Sequence, residues 1–117
     1  MADISRIIAG LNDFGTQDAT GFVALSTSGK TINIEGKDGY TLLLFTCTAN
    51  DAPTIVGGNG DKGGQDNVLT ELAANSYGGA VIDSAYYMDV SGANKGCITV
   101  KGKSTTSVMA IELKAGR

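Results

Sequence analysis

The sequence predicts an all-β chain, a two-layer antiparallel β-sandwich of about eight strands preceded by a short N-terminal helix or arm. Three observations carry this. The stretch GCITVKGKSTTSVMAIELK, from Gly96 to Lys114, has two apolar runs, Cys97–Val100 and Val108–Leu113. The polar connection Lys101–Ser107 lies between them and contains Gly102, the pattern of an antiparallel hairpin. Within the second run Met109, Ile111 and Leu113 alternate with Ala110, Glu112 and Lys114, which predicts one dry and one wet face. Finally, the 17 glycines and single proline fall mostly between short apolar runs, where turns need positive φ. An apolar fraction of 42% is ample for a core, so this glycine content signals turns rather than disorder.

Residues 3–11 stand apart from the β pattern. Ile4, Ile7, Ile8 and Leu11 recur at the spacing of one helical face, with Asp3 placed to cap its start and Gly10 to end it. Such a helix has barely two turns and must dock to persist, on its own sheet or on a neighbour. After a polar connection, Phe22–Leu25 reads as a strand, Ser26–Lys30 as a turn, and Thr31–Glu35 as a strand with Ile32 and Ile34 inward. Tyr40–Thr48 is the most apolar run; Leu42, Leu43, Leu44 and Phe45 leave no polar face, which predicts a central strand. Thr54–Val56, Val68–Ala73 and Ala80–Ile82 follow as strands, with turns at Asn50–Pro53 and Asn75–Gly79 and a glycine-rich loop at Gly57–Gln65. Asp83–Met88 reads as a short helix or an irregular edge. Neither a repeat nor a composition shift divides the chain, so residues 1–117 read as one domain, with 1–20 as arm or helix and connection.

Composition narrows the chemistry. A net charge of −3 with scattered basic residues argues against nucleic acid as a partner, since phosphate binding is driven by clustered Lys and Arg. MADISRIIAG has neither an early positive charge nor a continuous apolar run, and no stretch reaches bilayer-spanning length, so cytoplasmic synthesis and no membrane partner are expected. In that reducing setting Cys47 and Cys97 are expected as small buried or half-buried thiols rather than a disulfide. The chain has no histidine, hence no ordinary general base near neutral pH and no imidazole ligand for zinc.

Several motifs invite a sharper reading. Gly58-Asn59-Gly60-Asp61-Lys62-Gly63 is a formal G-x-G-x-x-G with Asp83 twenty residues on, but extra glycines at 57 and 64 make a chance match easy, and no α/β alternation surrounds it. The same loop nearly matches a calcium repeat, with Asp61 one residue early and no stacked array; a mobile surface loop accounts for it better. Gly29-Lys30-Thr31 and Gly102-Lys103-Ser104 lack the glycine a phosphate loop needs five positions earlier, where Ala24 and Cys97 stand. Asp83 and Asp89 flank Tyr86 and Tyr87. Paired carboxylates could hydrolyse a glycoside, but an edge segment that packs its tyrosine rings and exposes their hydroxyls explains them more simply. No catalytic residue, cofactor site or metal site is therefore expected.

The runs TLLLFTCTANDAPTIVGGNG, DNVLTELAANSYGGAVIDSAYYMDVSG and GCITVKGKSTTSVMAIEL, over roughly residues 40–114, resemble small capsid decoration proteins of tailed bacteriophages. The shared pattern is a central apolar strand, a short strand into a glycine-rich loop, a D-x-x-L-T-x-L-A-A segment and a closing hairpin ending in A-I-E-L. The resemblance implies a non-enzymatic accessory subunit on the virion's capsid exterior, bound to the major capsid protein in many copies, with a homotrimer as one form. Shell or subunit contact is then expected at Ile4, Ile7, Ile8 and Leu11. Two rivals stay open: a glycan or cell-surface binding module of a phage tail or fibre using Tyr86 and Tyr87, and a small hydrolase using Asp83 and Asp89.

Overall fold

The computed structural model describes residues 3–4, 7–8, 21–34, 39–60 and 64–113, and these form two β-sheets packed face to face. The long sheet contains β1 (Ile7–Ile8), β2 (Val23–Ala24), β4 (Tyr40–Cys47), β7 (Ser76–Asp83) and β9 (Thr106–Leu113). Its order is β1-β9-β4-β7, with β2 also on β9. The short sheet has β3 (Lys30–Asn33), β5 (Thr54–Ile55), β6 (Asn67–Val68) and β8 (Cys97–Lys101), in the order β3-β8-β5-β6. One helical turn, α1 (Ser84–Tyr87), follows β7. Pairing between strands is antiparallel except for β1, which runs parallel to β9.

The predicted central strand is central. β4 pairs along all eight residues with both β7 and β9. Its Leu43 and Phe45 point between the sheets with Ile82 and Val108, against Ile32, Ile55, Ile98 and Val100 of the short sheet. Each such side chain, fully buried, contributes about 1.5–3 kcal/mol. Leu42 and Leu44 point the other way, where with Phe22 they pack on Met109 and Ile111 in a second cluster. Both faces of this sheet are thus apolar there.

That second cluster corrects the face assignment of the last strand. Val108 and Ala110 face the inter-sheet core, whereas Met109 and Ile111 lie on the outer face, and all four are buried. Alternation reveals that two faces differ; it does not reveal which is inner when both are covered.

The closing segment is no hairpin. β8 and β9 do not pair: β8 lies between β3 and β5 of the short sheet, β9 beside β4 in the long one. Residues 102–105 form an arch from one sheet to the other. Asp51, only 6% exposed, holds it: its Oδ2 accepts hydrogen bonds from the Lys103 N–H (3.0 Å) and from the Thr106 hydroxyl (2.6 Å). Gly102 packs where a Cβ would lie 2.7 Å from Leu25 and 2.9 Å from that same oxygen, so a larger residue there would have to displace the Leu25 and Asp51 side chains.

Of the two forms open to the N-terminal segment, Ile4, Ile7 and Ile8 take the extended one. Ile4 bridges to Ile32 of the short sheet, while Ile7–Ile8 pair with Ile111–Glu112 of the long sheet. Asp3 caps no helix; its Oδ2 accepts from the N–H and hydroxyl of Thr31 at 3.0 and 3.2 Å. Sheet edges offer residues 3–4 and 7–8 main-chain partners, and β-branched isoleucine suits them. Ile32 and Ile34 are inward as expected. Asn75–Gly79 is not all turn, because β7 begins at Ser76. Gly78 and Gly79 are strand residues whose missing side chains make room for Leu72 and for the Leu43 carbonyl. The Val68–Ala73 strand shrinks to β6 and one bridge, Leu72 to Asp51.

Candidate functional site: the glycine-rich loop and the tyrosine turn

The two motifs that drew most interest in the sequence, the glycine-rich loop and the Asp83–Asp89 segment, are brought together at one end of the molecule. α1 is held at its start by Ser84, whose N–H donates to the Gly39 carbonyl (3.0 Å) and whose buried hydroxyl is 2.9 Å from that of Thr41. The Met88 N–H closes the turn on the Ser84 carbonyl at 3.1 Å. This fixes the Tyr86 carbonyl, which accepts from the N–H groups of both Gly58 and Gly64 at 3.3 Å. One carbonyl therefore pins the loop on both of its described sides.

Side chains complete the clamp. Asn59 accepts from the Val90 N–H (2.8 Å) and donates to the Ser91 carbonyl (3.0 Å). Asp66 accepts from the Gly57 N–H at 2.9 Å, and Asn67 donates to the Tyr87 hydroxyl at 3.4 Å. Tyr86 and Tyr87 meet edge to face, ring centres 5.0 Å apart, a favoured aromatic geometry. The glycines are here for contact. A Cβ on Gly64 would enter the Tyr86 ring, and one on Gly58 the Met88 carbonyl. Gly57, Gly58, Asn59 and Gly64 of the described part of the loop are packed and hydrogen-bonded.

This geometry bears on chemistry. A phosphate cradle needs several N–H groups turned toward one open point. Here those of Gly57, Gly58 and Gly64 are already used by Asp66 and by Tyr86. Asp61 lies outside the described residues. Asp83 ends β7, and Asp89 lies beyond α1, its main chain bonded to Gly96 and Cys97. Among the described residues no group of three or more acidic, Cys or His side chains could hold a metal ion, and no helix is long and apolar enough to cross a membrane. Cys47 is buried with its Sγ donating to the Ala73 carbonyl at 3.1 Å, Cys97 is half-buried, and the two are not joined in a disulfide.

Among exposed polar residues such as Asn59, Gln65, Asp66 and Asn67, three apolar side chains are also exposed, Val68 at 65%, Val90 at 48% and Tyr86 at 44%. Tyr86 lies in the turn and Val90 just after it, both on backbone that the bonds above tether, whereas Val68 lies on β6. Of the contact residues expected from the sequence, Ile4 is 1% exposed and part of the core, so its side chain offers nothing to another surface. Ile7 and Ile8 form β1, and Leu11 lies outside the described residues. Sequence reasoning missed Val68 and Val90, which read as ordinary strand or loop residues; only the Tyr-Tyr pair beside a glycine-rich loop was a signal.

Fold and site together define a two-sheet β-sandwich in which a glycine-rich loop is bonded to a tyrosine-bearing turn at one end. Comparison with known proteins finds no matching family model, no matching curated protein and no matching solved structure.

Proposed function

We propose that this protein is a non-enzymatic virion subunit of a tailed bacteriophage that binds the outside of an assembled capsid, with the major capsid protein as partner, and stabilises it. The resemblance over residues 40–114 supports the class. The observation that carries the reading is the exposure of Tyr86 and Val90, apolar side chains on backbone hydrogen-bonded to the glycine-rich loop. Exposed apolar clusters mark interaction surfaces. A surface ordered before binding loses little entropy on docking. A subunit that recognises only the assembled shell shifts the assembly equilibrium toward the shell by mass action.

The test is co-sedimentation of the purified chain with expanded heads stripped of accessory proteins. Saturable binding is expected, with heads that resist heating better, and Tyr86→Ser combined with Val90→Ser should abolish it while the unfolding curve stays cooperative. Heads that sediment without the chain would refute the proposal. A second reading, a glycan or cell-surface module of a tail or fibre, is favoured by the half-exposed Tyr86 ring, on which a sugar could stack. A glycan array gives saturable, Tyr86-dependent binding under that reading and none under the first.

A further inference from the structure

The open side of the long sheet carries a second surface, separate from the tyrosine turn. β9 has β1 and β2 along its far side, but β7 has β4 on one side and, among the described residues, no strand on the other. The Ser84 N–H bonded to the Gly39 carbonyl sets the phase of the β4–β7 ladder. Residues 76, 78, 80 and 82 accordingly direct their main chain to β4, so Tyr77, Gly79 and Val81 direct N–H and C=O to the open edge. Protein edges are ordinarily guarded by charge, proline, a bulge or short length. β7 is eight residues long, SYGGAVID, and carries no charge or proline before Asp83. Its outward side chains are Tyr77, 83% exposed, and Val81, 58% exposed.

We infer that β7 pairs with β7 of a second copy of this chain, antiparallel, about a two-fold axis at Gly79. The register follows from the pleat. Faces match only when odd residues oppose odd ones, because a one-residue slip would turn every side chain over. With Gly79 opposite Gly79, Tyr77 lies across from Val81 of the second copy, twice by symmetry. Aromatic on β-branched is a favoured cross-strand pair, and the bare glycines at the axis leave room for the tyrosine rings to lean inward. Asn75 then opposes Asp83 of the second copy, so no like charges meet. A shift by two residues one way sets Tyr77 against that aspartate; the other way leaves it against glycine. The chain is thus self-complementary in one register, and the pair closes at two copies. This inference does not depend on the capsid reading.

Sedimentation equilibrium of the full chain tests it. A reversible monomer–dimer equilibrium is expected, with a dissociation constant on the order of micromolar to tens of micromolar for so small an interface. Tyr77→Lys and Val81→Asp should each weaken the dimer by roughly tenfold or more, since each change acts twice across the axis. Both sites are exposed, so unfolding midpoints should move little, which separates loss of pairing from loss of fold. The two substitutions combined should restore the dimer, because each introduced lysine faces an introduced aspartate of the other copy only in the proposed register. A chain monomeric throughout, an oligomer indifferent to the single substitutions, or a double variant as weak as the singles would overturn the inference.

Discussion

The two sheets use similar apolar residues but are held by different means. In the long sheet β4, β7 and β9 run eight residues each in unbroken ladders, and β4 is apolar on both faces. The short sheet has strands of two to five residues. Around it, side-chain acceptors reach main-chain donors: Asp51 to Lys103, Asn50 to Ala74, Asp66 to Gly57, Asp3 to Thr31. A long ladder with two buried faces fixes its own register. Short strands do not, and they borrow theirs from polar side chains set in the loops. Packing losses should therefore dominate in the long sheet, and loss of a single carboxylate should dominate at the other.

The largest effect is expected in the long sheet. Phe45 is buried and sits opposite Val108 on one neighbour and Gly78 on the other. Phe45→Ala should cost about 3–5 kcal/mol in denaturant unfolding, because the ring leaves a void that two paired strands cannot close. A cost below about 1 kcal/mol would mean the core collapses around the missing ring, and the contrast between the sheets would fail.

The next effect belongs to the arch. Asp51→Ala strips the partner from the Lys103 N–H and from the fully buried Thr106 hydroxyl. A loss of about 2–3 kcal/mol is expected. Asp51→Asn keeps an acceptor oxygen of the same reach and should recover part of it. If alanine and asparagine are equally harmful, the carboxylate acts through charge and not through the two bonds.

This contrast also explains what could be read in the chain. β4 was legible because a run such as YTLLLFTC satisfies only a strand with neighbours on both sides and cover on both faces. The arch was not, since Lys101–Ser107 looks like any hairpin loop and the residue that redirects it, Asp51, lies 52 positions before Lys103. The isoleucines at 4, 7 and 8 fit a helical stripe as well as they fit an arm spanning both sheets; spacing alone does not decide, and available sheet edges do. Gly78–Gly79 read as a turn because bare glycine signals flexibility, whereas here it accommodates Leu72 and the Leu43 carbonyl. At the tyrosine turn the residue types were legible and their bonding was not. Most of its tethers join main chain to a group many residues away.

The smallest effect tests the outermost tether. Hydrogen bonding from the Thr31 N–H holds the Asp3 carboxyl below its ordinary value of 3.8; slight desolvation opposes this, and the Thr31 hydroxyl and Lys30 charge reinforce it. A carboxyl whose folded pKa is depressed adds stability that is fully present above the unfolded value and is lost as pH falls through the folded one. Asp3 is exposed, so solvent screens the contribution and keeps it small. Thermal midpoints of the wild type and of Asp3→Asn, compared from about pH 6 down to about pH 3, should show a small gap in favour of the wild type that narrows below pH 3.8. Because Asn keeps an acceptor for Thr31 but never ionises, a gap that stays constant across this range would show that charge plays no part in holding the arm to the short sheet.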